Sequence, residues 1–523
     1  MKRIVLTMLC AAVGCAAAGA AAQTAQGATV CVGATPTCFP TIQAAVDAAQ
    51  DGDTIELGPG TFAGGITIDK SVELVGAGAA ATIVAGGGPV ITIGEVFGTA
   101  EQTVSISRVT ITGGLNNSQP DEQVTFGGGI WVPSSGATVT IADSVITGNR
   151  VTPQSTVPPG EFCGPFPCAF ALGGGIDNAG TLTVTNTRIT DNEVGSTKAL
   201  PSVASGAFGG GIVNREDASL TLRRSVVAGN RVAVTSPNGR LAVAGGISDT
   251  GALVVEDSVV SGNDVVVDAS FQDEVNAFTG GIEVTQSGAA TIVRTAVNGN
   301  SVRAANAGGA VLAGVGGIST DEDVSLVLRN SSVSQNSVSV SVSPEGANAV
   351  AFAGGLEIEG AVEVSGSRFV ANNVRASGPS GLVASAGGGI FAEALAPVSV
   401  SDSFVIGNSV EASTTGGFVI AQGAGVLNAG QLTLRRTLVA ANRASATGPA
   451  GLAQGGGVWN GLIELPGFPE VVELALVDSA VLGNGLSASS DVAIQGGGLF
   501  TTAPLTLTGT LIAGNRPDQC FGC

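Results

Sequence analysis

Short runs in which hydrophobic and polar positions alternate recur along most of the chain in a constant order. The recurring motif is apolar-x-apolar-x-x-Ser/Thr-x-apolar-x-x-Asn, as in residues 220–230. It occurs eleven times, and its closing asparagines lie mostly about 33–38 residues apart. These are Asn149, Asn192, Asn230, Asn263, Asn300, Asn336, Asn372, Asn408, Asn442, Asn484 and Asn515. Repeats of this length stack on one another, so we predict one long solenoid.

Each repeat contains three short strand signals. One follows the glycines that precede the motif and ends at Ile212 in the example; the second holds Leu220 and Leu222, and the third holds Ser225 and Val227. Apolar residues with period 2 indicate strands with one buried face. Such short strands must pair with their copies in the next repeat, which gives parallel sheets. The pattern therefore predicts an all-β parallel β-helix.

The segment between each asparagine and the next pair of glycines has a pattern of its own. Residues 336–355 alternate outward, turn at Pro-Glu-Gly, and alternate back. We expect each coil to extend an arm and return, so that the stacked arms widen the cross-section of the solenoid.

Both ends of the array differ from its repeats. Ile42, Ala45, Val46 and Ala49 share one face of a predicted short helix over residues 41–50, which would cap the first coil. The predicted organisation has four parts: signal peptide and linker 1–28, N-terminal cap 29–53, parallel β-helix 54–515, and a cysteine-containing tail 516–523.

The first residues indicate export. A basic start and a short apolar run precede Ala20-Ala-Ala22, a small-residue cleavage site. Ala12-Val-Gly14-Cys15 also resembles a bacterial lipoprotein box, which would place a lipid anchor on Cys15. We expect no transmembrane segment, and we predict a secreted or cell-surface protein.

Six cysteines follow that cleavage site in three local pairs, namely Cys31/Cys38, Cys163/Cys168 and Cys520/Cys523. An even number in an exported chain favours disulfides. A zinc site at Cys520 and Cys523 would need four ligands, and the chain has no histidine. We predict no metal and no cofactor.

Composition excludes several functions. The net charge of −20 makes nucleic-acid binding unfavourable. The absence of histidine removes the commonest general base. The repeated asparagines, and the Ser/Thr ladder five residues before them, are interpreted as corner hydrogen-bonding rows, and no catalytic residue is predicted.

The residue after each Gly-Gly-apolar unit forms a column that faces away from the core. Phe391, Trp459 and Phe500 would stack there as an apolar stripe that could bind sugar rings. The alternative is that an arm or the C-terminal segment covers them. Glycoside chemistry needs two carboxyl groups about 5–10 Å apart, which Glu283 or the pair Glu357 and Glu359 would supply only by coincidence.

Residues 41–62 resemble the opening of many bacterial right-handed parallel β-helix proteins of the pectate-lyase-like superfamily. The Gly-Gly-Gly-Ile and Gly-Asn repeats are similar to those of exported proteins related to polymorphic outer-membrane proteins. The resemblance covers residues 41–523 and implies a single-stranded right-handed parallel β-helix. It departs from the family's enzymes, because Ala63 or Gly64 stands where a pectin methylesterase has glutamate and the polygalacturonase Gly-His-Gly is absent.

This fold carries enzymes, adhesins and inert stalks, so the fold alone does not decide the function. We predict an exported, non-enzymatic scaffold or adhesin-like protein that binds polysaccharide or a cell-surface glycan. The alternative is a carbohydrate-active enzyme, a polysaccharide lyase or glycoside hydrolase.

Overall fold

The computed structural model describes residues 27–523 apart from 97, 118–123, 153–167, 197–203, 236–238, 271, 273, 287 and 464–470. The described chain consists of short parallel strands, turns and one short helix, α1 (Ile42–Ala48), which confirms the predicted parallel β-helix. Its strands form five sheets, here called A to E, and each strand pairs with its equivalent in the next coil.

Sheets A, B and C enclose the main core. Sheet A has 15 strands: Thr29–Val32, Thr54–Leu57, Glu73–Gly76, Gln102–Ser107, Ala137–Ala142, Thr181–Thr185, Ser219–Arg223, Ala252–Glu256, Ala289–Val293, Ser325–Arg329, Ala361–Ser365, Val398–Ser401, Gln431–Arg435, Glu473–Val477 and Leu505–Thr508. Sheet B has 14: Gly60–Ala63, Thr82–Ala85, Thr110–Thr112, Val145–Thr147, Arg188–Thr190, Val226–Ala228, Val259–Ser261, Ala296–Asn298, Ser332–Ser334, Arg368–Val370, Phe404–Ile406, Leu438–Ala440, Ala480–Leu482 and Leu511–Ala513. Sheet C also has 14: Ile66–Ile68, Ile91–Ile93, Ile130–Val132, Ile176–Asn178, Ile212–Asn214, Ile247–Asp249, Ile282–Val284, Ile318–Thr320, Leu356–Ile358, Ile390–Ala392, Val426–Asn428, Val458–Asn460, Leu499–Thr501 and Cys520–Phe521.

Sheets D and E form the predicted arm, which is present from residue 115 onward; it leaves the coil after sheet B and returns before sheet C. Sheet D has 11 strands: Leu115–Asn117, Arg150–Thr152, Glu193–Ser196, Arg231–Val234, Asp264–Ala269, Ser301–Asn306, Ser337–Val342, Asn373–Gly378, Ser409–Thr414, Arg443–Thr447 and Gly485–Ala488. Sheet E has 11: Val124–Phe126, Cys168–Leu172, Ala204–Phe208, Gly239–Val243, Val275–Phe278, Val311–Gly314, Ala349–Phe352, Leu382–Ala386, Phe418–Gln422, Ala450–Gln454 and Val492–Gln495. Valine and alanine side chains between these two sheets make a second core.

Side chains of the same repeat position stack along the axis. Val227, Val260, Val297 and Val333 are register partners in sheet B and are no more than 1% exposed. One repeat is therefore one coil, as the sequence period predicts, and the core is a set of continuous aliphatic columns.

The asparagines form a hydrogen-bonded ladder. From Asn149 to Asn484, each side-chain amide donates to the Oδ1 atom of the next asparagine at 2.9–3.1 Å, and Asn515 donates to Gln519. The ladder hydroxyls accept from backbone N–H groups of the preceding coil, as Ser225 does from Thr187. Both ladders are structural, as predicted.

Charged residues alternate at the turn between sheets A and B. Arg224, Asp257 and Arg294 follow register partners on three consecutive coils and have φ values of 47°, 50° and 49°. Arg294 binds Asp257 through two hydrogen bonds of 2.6 and 2.9 Å. The predicted order of opposite charges on adjacent coils is confirmed.

The ends are closed in different ways. Helix α1 buries Ile42, Ala45 and Val46 against the first coils, and Lys70 donates to carbonyl oxygens at its C-terminus. The predicted disulfides Cys31–Cys38 and Cys520–Cys523 are both formed, whereas Cys163 lies outside the described residues, so its predicted pairing with Cys168 stays a prediction. Among the described residues, no helix has the length and apolar character needed to cross a membrane.

Candidate functional site

In the eleven sheet C strands from Ile130–Val132 to Leu499–Thr501, the middle residue points away from the main core, into the corner between sheet C and the arm. We call this set the corner column. From the N-terminal end it contains Trp131, Asp177, Val213, Ser248, Glu283, Ser319, Glu357, Phe391, Leu427, Trp459 and Phe500. Aromatic side chains of sheet E reach into the same corner, as the 5.7 Å contact between Phe352 and Phe391 shows. The column therefore brings aromatic, hydroxyl and carboxyl side chains together in one largely buried corner.

Serine and glutamate alternate in the middle of the column. The Ser248 hydroxyl donates to Glu283 at 2.9 Å, and the Ser319 hydroxyl donates to Glu357 at 2.6 Å. The Glu357 side chain is buried, at 5% exposure. Each of these carboxyl groups thus has a hydroxyl partner one coil away.

A second acidic column lies two residues further along each strand, at the turn out of sheet C. It brings Asp321, Glu359 and Glu393 onto three consecutive coils, because each backbone N–H donates to a carbonyl of the preceding coil. Carboxyl oxygens of Glu357, Glu359 and Glu393 lie within 4.8 Å of one another. We call these three residues the acidic cluster.

The cluster holds its protons unusually strongly. Burial, followed by the charges of Glu393 and Glu359, holds the pKa of Glu357 well above its usual range. Burial and the nearby carboxylates raise the pKa of Glu359 to about 7 and that of Glu393 to about 8. Burial also raises the pKa of Glu283 to about 8, against the opposing hydrogen bond from Ser248. At neutral pH several of these groups therefore carry a proton.

Two kinds of chemistry fit this arrangement. A carboxyl group that stays protonated near pH 7 can act as a general acid, and clustered carboxylate oxygens are the ligands that Ca²⁺ prefers. From the sequence, Glu283, Glu357 and Glu359 were considered as carboxyl groups for glycoside chemistry, but no catalytic or metal-binding role was predicted for them. It missed Glu393, although the repeat alignment places Glu393 beside Glu359 in the turn column.

The apolar stripe predicted to bind sugars lies at the other end of the column. Phe391, Trp459 and Phe500 do face away from the main core, but they are only 5%, 6% and 5% exposed. Phe352 and Ala386 of sheet E pack against the apolar stripe, and the ring of Phe521 stacks on that of Phe500 with their centroids 5.4 Å apart. The arm and the C-terminal segment cover the stripe, which is the alternative raised from the sequence; sugar binding by these rings stays a prediction without an exposed surface to support it.

The N-terminal end of the column contains an ion pair held between aromatic rings. Asp177 accepts two hydrogen bonds from Arg215, at 2.6 and 2.9 Å. The Arg215 guanidinium lies 4.1 Å above the ring of Phe126, which stacks on Trp131. Burial raises the pKa of Asp177, and the partnership with Arg215 opposes that rise. The polar groups of Asp177 and Arg215 thus bind each other, and the arginine also contacts the ring of Phe126.

No protein-family model matches the chain, and no curated protein matches it. Among solved structures it is similar to the A-module of the Azotobacter vinelandii mannuronan C-5 epimerase AlgE6, with 13% identity, 90% of this chain and 93% of that chain covered, and a TM-score of 0.21. The A-module of the A. vinelandii mannuronan C-5 epimerase AlgE4 is 14% identical, with 90% of both chains covered and a TM-score of 0.26. At these TM-scores neither structure bears on what this chain does.

Proposed function

We propose that the chain is an exported, non-enzymatic β-solenoid scaffold that presents an elongated surface outside the cell, with a glycan as its partner. The two disulfides are compatible with an oxidising exterior. In this proposal Cys15, outside the described residues, serves as a lipid anchor or is removed with the signal peptide.

One observation supports this proposal above the others. The asparagine ladder runs without interruption from Asn149 to Asn515, and its side-chain amides form hydrogen bonds with neighbouring coils. In the corner column, the polar side chains of the middle section bond to each other and the apolar ones pack together. These polar groups stabilise the contact of each coil with the next, and in this proposal that is their task.

A panel of polysaccharides and cell-surface glycans tests the proposal when binding and product release are scored in the same wells. We expect binding without new reducing ends or unsaturated products. Release of product from any polymer would contradict the non-enzymatic part, and failure to bind any glycan would contradict the partner.

The acidic cluster supports a second candidate, a carbohydrate-active enzyme. Glu357, Glu359 and Glu393 combine short separations with raised pKa values, as acid catalysts of glycosidic-bond cleavage do. We rank this candidate second because Glu357 is buried and already accepts a hydrogen bond from Ser319.

A further inference from the structure

The first residue of each sheet D strand forms another column along the rod. Near its N-terminal end, Arg150, Glu193 and Arg231 are register partners on three consecutive coils. The Arg150 guanidinium pairs with the Glu193 carboxylate at 3.3 Å, and Arg231 flanks that glutamate on the next coil. Here one carboxylate sits between two arginines.

At its C-terminal end the same column again has two arginines on either side of one residue, but that residue is not acidic. Arg443, Gly485 and Arg516 are partners on the last three coils, so a glycine occupies the position equivalent to Glu193. A cavity of about 390 Å³ adjoins this glycine, and we call it the arginine notch. Its lining consists of Arg443, Gly483, Asn484, Gly485, Leu486, Ser487, Gly514 and Arg516.

The two arginines have no acidic partner among the residues that the structure describes. Eight other arginines of the described chain form ion pairs with an Asp or Glu of an adjacent coil. Arg443 has Ser409 on its other side. In a chain of net charge −20, these two arginines line the same cavity.

We propose that the arginine notch binds the carboxylate of a small organic acid, which takes the place that the Glu193 carboxylate has upstream. Guanidinium groups recognise carboxylates through paired N–H donors. The cavity is larger than a bare carboxylate and lies in the usual range for small-molecule sites, roughly 300–1,000 Å³. A six-carbon acid with hydroxyl groups fits this space, and Ser487 offers a hydroxyl partner. The site is independent of the glycan partner proposed above.

Calorimetric titration of the full chain with glucuronate tests the notch, with glucose as the neutral match and acetate as the bare carboxylate. We expect glucuronate to bind more tightly than acetate and glucose not to bind. Arg443→Gln and Arg516→Gln should each weaken glucuronate binding about tenfold, the usual worth of one charge-assisted hydrogen bond.

Gly485 allows a sharper variant. A Cβ atom added there would meet only the Arg516 carbonyl oxygen, at 3.9 Å, so a side chain is tolerated. Gly485→Glu should rebuild the upstream Arg-Glu-Arg arrangement, abolish glucuronate binding and raise the thermal unfolding midpoint. Gly485→Ala, the matched control, should bind within about threefold of the wild type, because it supplies no carboxylate.

Three results would overturn the proposal. They are equal binding of glucose and glucuronate, acetate binding as tight as glucuronate binding, and unchanged glucuronate binding in a folded Gly485→Glu variant. The unfolding midpoint of each variant shows that loss of binding is not loss of fold.

Discussion

Two neighbouring sections of the corner column, here called its acidic half and its apolar half, have the same backbone arrangement and differ in chemistry. Ser248, Glu283, Ser319 and Glu357 occupy four consecutive coils, and Phe391, Leu427, Trp459 and Phe500 occupy the next four. The acidic half has hydroxyl–carboxyl hydrogen bonds and raised pKa values, whereas the apolar half has stacked rings.

This difference teaches that the coil geometry does not dictate what fills the corner. A buried carboxyl must find a donor or hold a proton, so the acidic half makes folding depend on pH. A buried ring needs only close packing, so the apolar half contributes stability at any pH. The four experiments below break or sharpen that contrast.

The largest effect is expected in the apolar half. Trp459→Ala would remove a ring that stacks on Phe500 at 6.2 Å and donates to Gln454 at 3.3 Å. We expect a loss of about 3–5 kcal/mol in the free energy of unfolding, the usual cost of truncating a buried aromatic residue. Urea unfolding measures it, with Phe404→Ala as the control because Phe404 is 42% exposed. Equal losses in the two variants would show that the stripe is not buried.

In the acidic half, Glu283→Gln should change the pH dependence of stability. Because the folded pKa of Glu283 is raised to about 8, its protonated form favours folding at low pH, and this contribution is lost as the pH rises from about 4.5 through 8. We expect the variant to match the wild type at pH 5 and to exceed it at pH 9 by roughly 1–3 kcal/mol. Thermal unfolding across that range measures the difference, and parallel curves would show that Glu283 is not held protonated.

A carboxylate outside the column should respond with the opposite sign. The hydrogen bonds from Arg294 lower the pKa of Asp257, so its contribution is present above the unfolded pKa and is lost as the pH falls through the folded pKa. Asp257→Asn should therefore be slightly less stable than the wild type at pH 7 and equal to it in acid. Asparagine fits the left-handed turn, as Asn186 and Asn330 show at the same repeat position. A gain in stability at pH 7 would contradict the ion pair.

The smallest effect is expected from metal removal. If protons rather than a cation neutralise Glu357, Glu359 and Glu393, dialysis against EDTA should leave the unfolding midpoint at pH 7.5 unchanged. A fall that added Ca²⁺ reverses, and that the triple variant Glu357→Gln, Glu359→Gln, Glu393→Gln does not show, would place a cation at the acidic cluster.

Most of the fold could be predicted from the sequence, because every repeat contains the same strand and turn signals. The spacing of the ladder asparagines gave one coil per repeat, and the alternation after Asn336 gave the arm. The outward direction of Trp459 and Phe500 also followed from alternation.

Whether those rings are exposed or covered could not be decided from the sequence, because it depends on how sheet E and the C-terminal segment pack against sheet C. Only two of the three residues of the acidic cluster could be found from the sequence, for a related reason. Glu357 and Glu359 stand close together in the sequence, whereas Glu393 joins them only through stacking of the next coil. Burial then sets the pKa values, and no local pattern reports burial in a corner formed by two sheets.

The central claim is that the carboxyl groups of the corner have a structural role and do not catalyse a reaction. Product release from a polysaccharide panel, measured at pH 5, 7 and 9 for the wild type and the triple glutamine variant, tests it most directly. We expect no product from either protein and, for any glycan that binds, the same affinity in both. Product that the wild type releases and the folded triple variant does not would contradict the claim and make the acidic cluster an active site.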